Sequence, residues 1–563
     1  MNNEYLWWQR GILYQIYPRS FMDGYDDGVG DLRGLATRLD YLQWLGIDAI
    51  WISPFYQSPM ADFGYDVSDY KGIHPMFGTD ADFDNLISDA HDRDIRVILD
   101  FVPNHTSEEH PWFKEARSSR DNPKRNWYLW ADPAPDGGPP NNWLSVFGGE
   151  AWEWDETTDQ YYYHAYLKEQ PDLNWRNPKV QEEMLDTMRF WLDRGVDGLR
   201  VDVIWHMIKD DQLRDNPPNP DYEPSMSPFE SLLPVYTTDR PEVHDIAAMM
   251  RNVADEYEER MIIGEMYLPT EQLVTYYGND GEGIHMPHNL QLITMPWDAR
   301  RIAATIDTYE GALPPGAWPN WVLGNHDKPR LATRVGPEQA RVAALLLLTL
   351  RGTPTLYYGD EIGMHAVDIP PDEVQDPWEK NLPGLGLGRD PSRTPIQWNA
   401  TEYAGFSSVA PWLPVADDYE ENNVEAESKD PKSMLSLYQR LISLRRSKPA
   451  LAVGSYAPVV TPVDLLAYFR EKDEQKYLIV LNLGHEPQTF DSDQQTFQGH
   501  ITLGTHLDRD REEINGPISL RPDEGVVVEL SGWEGELESI IRPPFQAFRP
   551  SSWNRGLKSS IRS

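Results

Sequence analysis

The chain has 563 residues, 40% of them hydrophobic, and this length predicts two or three globular domains rather than a single core. Asp and Glu number 91 against 50 Lys and Arg, giving a formal net charge of -41, which argues against nucleic acid and anionic membrane surfaces as partners. Because the sequence contains no cysteine, disulfides, thiol catalysis and cysteine-ligated metal centres are excluded.

No stretch of the sequence predicts export or membrane insertion. Residues 1–10 lack a basic segment followed by an apolar one, so no signal peptide is expected. The longest apolar run, at residues 342–350, is interrupted by Thr349 and is too short to span a bilayer. We therefore expect a cytoplasmic protein with no membrane partner.

The N-terminal part of the chain alternates between strand and helix patterns. Strands are predicted at residues 12–17, 49–52 and 96–102, and apolar residues at helical spacing predict helices at residues 32–45 and 80–94. Such alternation is typical of a parallel sheet built from right-handed crossovers.

The loop at residues 23–31 follows the first predicted strand and places acidic residues at alternate positions around glycines. Oxygen ligands suit hard cations, and glycine permits the chain to wrap tightly around an ion. The loop therefore resembles a calcium-binding loop and predicts a structural calcium or magnesium ion.

The alternation stops between residues 106 and 170, where Pro, Gly, Asn and Trp are frequent. A long irregular stretch inside a compact domain is improbable unless it forms a small domain of its own. We predict an inserted domain at residues 104–172, beside the functional site.

Residues 195–203 predict a strand with one apolar face, and with Arg200 and Asp202 together on the other face near its C-terminal end. Unpaired buried charges cost several kcal/mol, so such a pair suits the mouth of a (β/α)8 barrel, where catalytic residues lie at the C-terminal ends of strands. The alternative is an Arg–Asp ion pair with a structural role, and this stretch alone does not decide between the two.

Later segments complete the pattern of eight strands. Further strands are predicted at residues 260–265, 285–293, 321–327 and 353–358, and the last barrel helix at residues 434–447. The fold class is thus α/β, a (β/α)8 TIM barrel formed by residues 1–103 and 173–452. A long polar loop at residues 209–243 is predicted to lie over its mouth.

The end of the chain has a different character. Short alternating strands separated by turn residues predict a C-terminal all-β domain at residues 453–540. The segment at residues 541–563 contains basic but no acidic residues and is predicted to be a tail.

Three carboxylates end predicted strands. Asp202, Glu265 and Asp327 lie at the ends of the fourth, fifth and seventh predicted strands, so a barrel places them around one pocket. Two carboxylates about 5 Å apart can serve as nucleophile and acid/base of a retaining glycosidase, while a third can bind sugar hydroxyls. Arg200 would hold Asp202 ionised, and Glu265, which must be protonated to act as acid, should lie in a dry or like-charged environment.

Two histidines also follow predicted strands. A single buried His is more often a packed structural residue, but His105 follows the third strand and His326 precedes Asp327. We therefore predict that both interact with sugar hydroxyls.

Several ordered motifs resemble one family. Four of them are similar to motifs of the α-amylase superfamily of retaining glycoside hydrolases (glycoside hydrolase family 13): DFVPNH at 100–105, GLRVD at 198–202, GE at 264–265 and NHD at 325–327. Three more narrow the resemblance to the oligo-1,6-glucosidase and bacterial α-glucosidase branch: YQIYPRSF at 14–21, QPDLNW at 170–175 and GRD at 388–390. The resemblance runs from about residue 5 to about residue 530.

The resemblance implies a role for each site residue. Asp202 is implied as the nucleophile, Glu265 as the general acid/base, and Asp327 as the residue that binds the 2- and 3-hydroxyls of glucose. The implied glucose pocket is lined by Asp62, Tyr65, His105, Phe147, Tyr166, Arg200, Val203, His326 and Arg389. The implied metal ligands are Asp23, Asp27, the Val29 carbonyl and Asp31, with Tyr25 in place of the family's usual Asn.

Two positions bear on linkage preference. In this branch a Val after the nucleophile, as at Val203, resembles enzymes that cleave α-1,6 bonds, whereas Thr resembles strict α-1,4 maltases. The alternative is that Val203 simply fills a strand. Tyr166 stands where relatives usually carry Phe against the glucose ring, and its hydroxyl could alter the preference.

We therefore expect an exo-acting α-glucosidase that acts on short oligosaccharides such as isomaltose and maltose with retention and transglucosylation, and that needs no cofactor for catalysis. The chemical alternative is a sucrose isomerase or trehalose synthase-like enzyme that uses the same carboxylates. The alternative from another class is an inactive homologue used for binding, against which the three intact carboxylates argue. The sequence leaves open whether the chain is a monomer or a homo-oligomer.

Overall fold

The computed structural model describes residues 5–491, 496–534 and 541–542, and a barrel of eight parallel strands lies at its centre. The strands are β1 Leu13–Ile16, β2 Ala49–Ile52, β3 Arg96–Phe101, β4 Gly198–Val201, β5 Met261–Gly264, β6 Met286–Pro287, β7 Asn320–Val322 and β8 Thr353–Tyr357. They hydrogen-bond in the order β6-β5-β4-β3-β2-β1-β8-β7, which makes a nearly closed ring. The predicted (β/α)8 barrel is confirmed.

Helices cover the barrel and bury their apolar faces against it. The helix Asp80–His91 is an example, because Thr79 and Asp82 form a reciprocal capping box at its start and an apolar stripe faces the core. The other helices are Trp7–Arg10, Leu32–Ala36, Leu39–Leu45, Pro111–Ser118, Pro178–Asp193, Val243–Ala254, Thr270–Leu273, Gln291–Thr294, Ala299–Ala312, Leu331–Val335, Pro337–Thr349, Pro377–Asn381, Val424–Glu427, Met434–Ser447 and Pro449–Val453.

The single helix predicted at residues 32–45 is two helices in the structure, Leu32–Ala36 and Leu39–Leu45. The Thr37 hydroxyl donates to the carbonyl of Gly34 at 2.6 Å. A side-chain bond of this kind competes with the helical ladder. The apolar residues keep their helical spacing across the break between the two helices, so the sequence pattern does not predict this break.

Two strands end earlier than their sequence pattern predicts. The predicted strand at 195–203 stops at Val201, because Val203 has a left-handed backbone. The predicted strand at 321–327 is Asn320–Val322, so Asp327 lies in the following loop rather than at the strand end. At Gly324 a Cβ would come within 2.6 Å of the Asp360 carboxylate, so a larger residue would require that side chain to shift.

The stretch between β3 and β4 contains a small sheet of its own. Its strands are Trp130–Ala131, Trp152–Asp155 and Gln160–Tyr163, with the last in the middle and both pairings antiparallel. Trp143 and Trp152 stack with ring centroids 5.8 Å apart in a buried cluster beside this sheet. The aromatic richness of the segment thus builds a local core.

A second sheet follows the barrel, as predicted for a C-terminal all-β domain. Its strands are β9 Ser455–Val459, β10 Leu465–Lys472, β11 Gln475–Asn482, β12 Thr496–Gly504, β13 Glu513–Asn515 and β14 Gly525–Glu534. They are antiparallel in the order β9-β10-β11-β14-β12-β13 and enclose a separate apolar cluster.

Most of the predicted basic tail at residues 541–563 lies outside the described residues. Of its two described residues, Arg542 donates to Asp307 at 2.6 Å. Nowhere in the described ranges is there a helix with the length and apolar character to cross a bilayer.

The charge of the chain predicts how its stability responds to salt. A net charge of -41 produces repulsion among surface carboxylates, and salt screens exposed charges far more than buried pairs. The melting temperature should therefore rise by several degrees between 10 mM and 0.5 M KCl at neutral pH, measured by differential scanning fluorimetry. An unchanged or lower melting temperature would contradict this prediction.

Candidate active site

The guanidinium of Arg200 lies at the centre of the barrel mouth and contacts three carboxylates. Nη1 donates to Oδ1 of Asp100 at 2.8 Å and to Oδ1 of Asp202 at 2.7 Å, and Nη2 lies 2.8 Å from Oε2 of Glu265. The side chain is 1% exposed, and its charge lies over the ring of Trp51 at 4.8 Å. One buried cation therefore fixes three acids.

The register of three neighbouring strands brings these groups together. Asp100 in β3 is paired directly with Arg200 in β4, and Arg200 is paired with Ile263 in β5. Glu265 follows two residues after Ile263, beyond the end of β5. Gly264 precedes it where a Cβ would lie 2.4 Å from Ile284, so only glycine fits there without rearrangement.

Asp202 and Glu265 each use one oxygen for positioning. Oδ1 of Asp202 accepts from Arg200, while Oε2 of Glu265 accepts from the N–H of Val203 at 3.0 Å and lies beside Arg200. Among the described residues, nothing hydrogen-bonds Oδ2 of Asp202 or Oε1 of Glu265. Each carboxyl group therefore keeps one oxygen available for chemistry.

Burial determines the protonation of this pair. Burial raises the pKa of both Asp202 and Glu265; Arg200 opposes the rise, and repulsion from Glu265 adds to it at Asp202. Arg200 thus limits the pKa of Asp202 but does not bring it below the ordinary value. Two buried carboxyl groups that contact one guanidinium favour one shared proton, and the larger pKa rise at Asp202 does not support the expectation that Arg200 holds this residue ionised.

Asp327 has the opposite electrostatic environment. Its Oδ1 accepts from Arg393 at 3.0 Å and lies 3.5 Å from Arg389. Burial alone would raise its pKa, but the guanidinium groups of Arg393 and Arg389 lower the pKa below the ordinary value. Asp327 is therefore ionised, and its side chain, 21% exposed, is the most accessible of the three acids.

A chain of hydrogen bonds links His326 to the Arg200 cluster. The hydroxyl of Tyr65 donates to Asp100 at 3.0 Å and lies 2.7 Å from Nε2 of His326. Nδ1 of His326 lies 2.7 Å from the amide nitrogen of Gln15. Burial lowers the pKa of His326 well below its ordinary value, so the ring is neutral, accepting from Gln15 and donating to Tyr65.

An ion-pair set closes one side of the pocket. Nη2 of Arg389 donates at 2.7 Å to both Asp62 and Asp376. The ring of Phe147, from the segment between β3 and β4, lies 4.9 Å from the same guanidinium. Arg389 therefore joins the loop after β8 to the loop after β2.

The inserted segment continues this wall, because Phe147 also contacts Tyr166 and Gln170 donates to Asp62 at 3.3 Å. The ring of Tyr166 lies 5.5 Å from both His105 and Phe147. Nε2 of His105 lies 3.1 Å from the carbonyl of Tyr65 and 3.2 Å from the amide of Gln170. Burial lowers the pKa of His105 to about 4, so this ring is neutral at physiological pH.

The sequence interpretation assigned no role to several residues of this cluster. Asp100 lies in the third predicted strand, and the parallel register pairs it with Arg200. Arg393 lies four residues after Arg389, a spacing that gives no periodic signal. Asp376 caps the short helix Pro377–Asn381, and its contact with Arg389 has no signal in the local sequence.

The acidic loop at residues 23–31 is held by its own hydrogen bonds. The carboxylate oxygens of Asp23 and Asp31 accept mainly from backbone N–H groups of the loop and its flanks. Over the described ranges, the one group of three or more His, Asp or Glu residues whose ligand atoms lie within 4.8 Å of one another is elsewhere, at His365, Asp417 and Asp418. The loop geometry does not gather its acids as ligands, and the structural calcium or magnesium ion remains a prediction.

Comparison with known proteins identifies relatives along nearly the whole chain. A family model described as "Alpha amylase, catalytic domain" matches residues 15–454. A probable alpha-glucosidase of Rhizobium meliloti (strain 1021) is 41% identical over 86% of this chain and 90% of the relative. An oligo-1,6-glucosidase of Parageobacillus thermoglucosidasius is 37% identical over 94% and 99%, respectively. The crystal structure of the alpha-glucosyl transfer enzyme XgtA matches with a TM-score of 0.88 at 38% identity, over 94% of this chain and 100% of that one.

The buried pairing of Arg200 predicts a large stability effect. Arg200→Met should lower the free energy of unfolding by about 3–5 kcal/mol, because it leaves buried carboxylates without their cation. Arg189→Met is the matched control, since Arg189 pairs with Glu256 at the surface, where the side chains are 36% and 46% exposed. The control should lose less than about 1 kcal/mol in urea unfolding. Equal losses in the two variants would contradict the assignment.

Proposed function

The chain belongs to the alpha-amylase family of glycoside hydrolases, and we propose that it is a retaining, exo-acting α-glucosidase of short oligosaccharides. The observation that carries this proposal is the pairing of Asp202 and Glu265 on one guanidinium, each with one oxygen left for chemistry. Two adjacent carboxylates are the arrangement that double displacement needs.

In the first step, Oδ2 of Asp202 attacks the anomeric carbon of the terminal glucose. The bond from that carbon to the glycosidic oxygen breaks, and the oxygen takes the proton from Oε1 of Glu265. The product is a β-glucosyl ester of Asp202 and a shortened sugar. In the second step, ionised Glu265 takes a proton from water, whose oxygen attacks the same carbon. The ester bond to Oδ2 of Asp202 breaks, which restores the carboxylate and releases α-glucose.

Asp327 and the neutral histidines would bind the glucose ring. Ionised Asp327 can accept from the 2- and 3-hydroxyls, and these bonds strengthen as positive charge develops on the ring. His105 and His326 are neutral, and both ring nitrogens of each have protein partners, so a sugar hydroxyl that binds either ring would replace one of those partners. Catalysis of this kind needs no cofactor.

The walls of the pocket support exo action. The ion pair between Arg389 and Asp62, together with Phe147, lies across one side of the site. A pocket closed on one side accepts the end of a chain rather than its middle. Short oligosaccharides with a free terminal glucose are therefore the proposed substrates.

We propose a preference for α-1,6 bonds, with isomaltose ahead of maltose. Val203 follows the nucleophile, and the oligo-1,6-glucosidase relative supports this preference. Transfer of glucose to a second sugar is the other candidate reaction, favoured by the similarity to the alpha-glucosyl transfer enzyme XgtA. Transfer and hydrolysis share the glucosyl-enzyme and differ in whether sugar or water attacks it.

A substrate panel tests the proposal. Glucose release should be fastest from isomaltose when isomaltose, maltose, trehalose and sucrose are supplied at equal concentration. Asp202→Asn should lower the rate by several orders of magnitude, because no glucosyl ester can form. The exposed Asp245→Asn is the control and should keep full activity. Rearranged or lengthened sugars without free glucose would favour transfer, and no reaction with any sugar would contradict the proposal.

The shared proton predicts the pH dependence. Raising the pH removes the proton of Glu265, so kcat/KM should fall on the alkaline side. Burial raises the pKa of Glu265 above its ordinary value of 4.5, so this limb should lie above pH 4.5. Glu265→Ala should lose the limb when assayed with 4-nitrophenyl α-glucoside, whose leaving group needs little protonation. A limb that persists in this variant would show that another group titrates.

A further inference from the structure

Val203 has a backbone conformation that β-branched residues rarely adopt. Its φ of 38° and ψ of 44° lie in the left-handed region, where Cβ crowds the following carbonyl oxygen. Among the described non-glycine residues with positive φ, Val203 is the one that is β-branched. The residue is buried, so packing around it maintains the strained turn.

The turn changes what the N–H of Val203 meets. β4 ends at Val201, and a short 3-10 turn, Ile204–His206, begins directly after Val203. In a continued parallel ladder this N–H would be offered to a main-chain carbonyl of β5. Instead it donates to Oε2 of the Glu265 side chain at 3.0 Å.

We propose that Val203 is a positioning residue whose strained backbone holds Glu265 in the orientation for proton transfer. The inference rests on the proposed role of Glu265 as acid/base. Arg200 and the N–H of Val203 together fix Oε2, which leaves Oε1 to carry the proton toward the glycosidic oxygen. The role belongs to the main chain of Val203 and is separate from any effect of its side chain on linkage preference.

The rival explanation is that the turn only terminates β4. In that case the N–H of Val203 satisfies a buried acceptor without influencing the reaction. The two explanations differ in whether loss of this single donor changes acid catalysis more than it changes stability.

The first experiment tests the strain. Alanine in a left-handed turn keeps the steric cost and glycine does not, so Val203→Gly should melt about 1–3 °C above Val203→Ala. Val196 is the matched control, a buried Val without positive φ, where the alanine variant should melt above the glycine variant. The same order at both positions would overturn the proposal, because the backbone would then carry no strain.

The second experiment removes the donor alone. An amide-to-ester exchange at Val203, made by incorporating the α-hydroxy analogue of valine, keeps the side chain and replaces N–H by oxygen. We expect kcat/KM for isomaltose to fall about tenfold or more and that for 4-nitrophenyl α-glucoside less than about twofold, because the aryl leaving group needs little acid assistance. The same exchange at Val196, whose N–H donates to the carbonyl of Trp191, should leave this ratio unchanged.

The pH profile tests whether the N–H of Val203 acts on the group that titrates in catalysis. Burial raises the pKa of Glu265, and Arg200 and the N–H of Val203 oppose that rise. The charged groups that face Glu265, namely Arg200, Asp100, Asp202 and Asp327, all remain after the ester exchange. The alkaline limb for isomaltose should therefore move to higher pH.

Failure of the inference is distinguishable from failure of the proposed function. If Glu265→Ala abolishes hydrolysis of isomaltose but the Val203 ester changes neither the substrate ratio nor the alkaline limb, the positioning role is wrong and the glucosidase stands. If Glu265→Ala leaves hydrolysis of isomaltose intact, the acid/base assignment itself fails. An equal loss on both substrates would assign the N–H to structure alone and overturn the inference.

Discussion

The guanidinium of Arg200 is the interaction on which the candidate active site depends. It offsets the charge of three buried carboxylates that come from the ends of β3, β4 and β5. Parallel register sets this geometry, because Asp100 and Arg200 are directly paired. A slip of one residue would turn Arg200 to the other face of the sheet and leave the acids unpaired. The strand register that forms the barrel therefore also assembles the site.

Electrostatic surroundings then divide the carboxylates into roles. Burial raises the pKa of Asp202 and Glu265, whereas Asp327 is held ionised beside Arg389 and Arg393. The surroundings thus give similar side chains different pKa values, as acid and base chemistry at neutral pH requires. The cations belong to the loop after β8, so this loop contributes charge control as well as a wall.

The sequence predicted the features that rest on periodicity and strand ends. The eight strands, Asp202 and Glu265 follow from alternation of strand and helix and from acids at strand ends. Asp376 and Arg393 were not recognised, because they lie in a long irregular loop. Local sequence patterns do not predict which part of such a loop contacts the site. The turn at Val203 was also not predicted. Leu199, Val201 and Val203 alternate as in a strand, although the backbone is no longer extended at Val203.

The central claim is that two carboxylates paired on Arg200 carry out double displacement. Proton NMR of the glucose first released from isomaltose, recorded before the anomers equilibrate, tests it most directly. α-Glucose should appear first, and the β-anomer should form from it by mutarotation. Initial release of β-glucose would mean that water attacks directly, and it would contradict the roles given to Asp202 and Glu265.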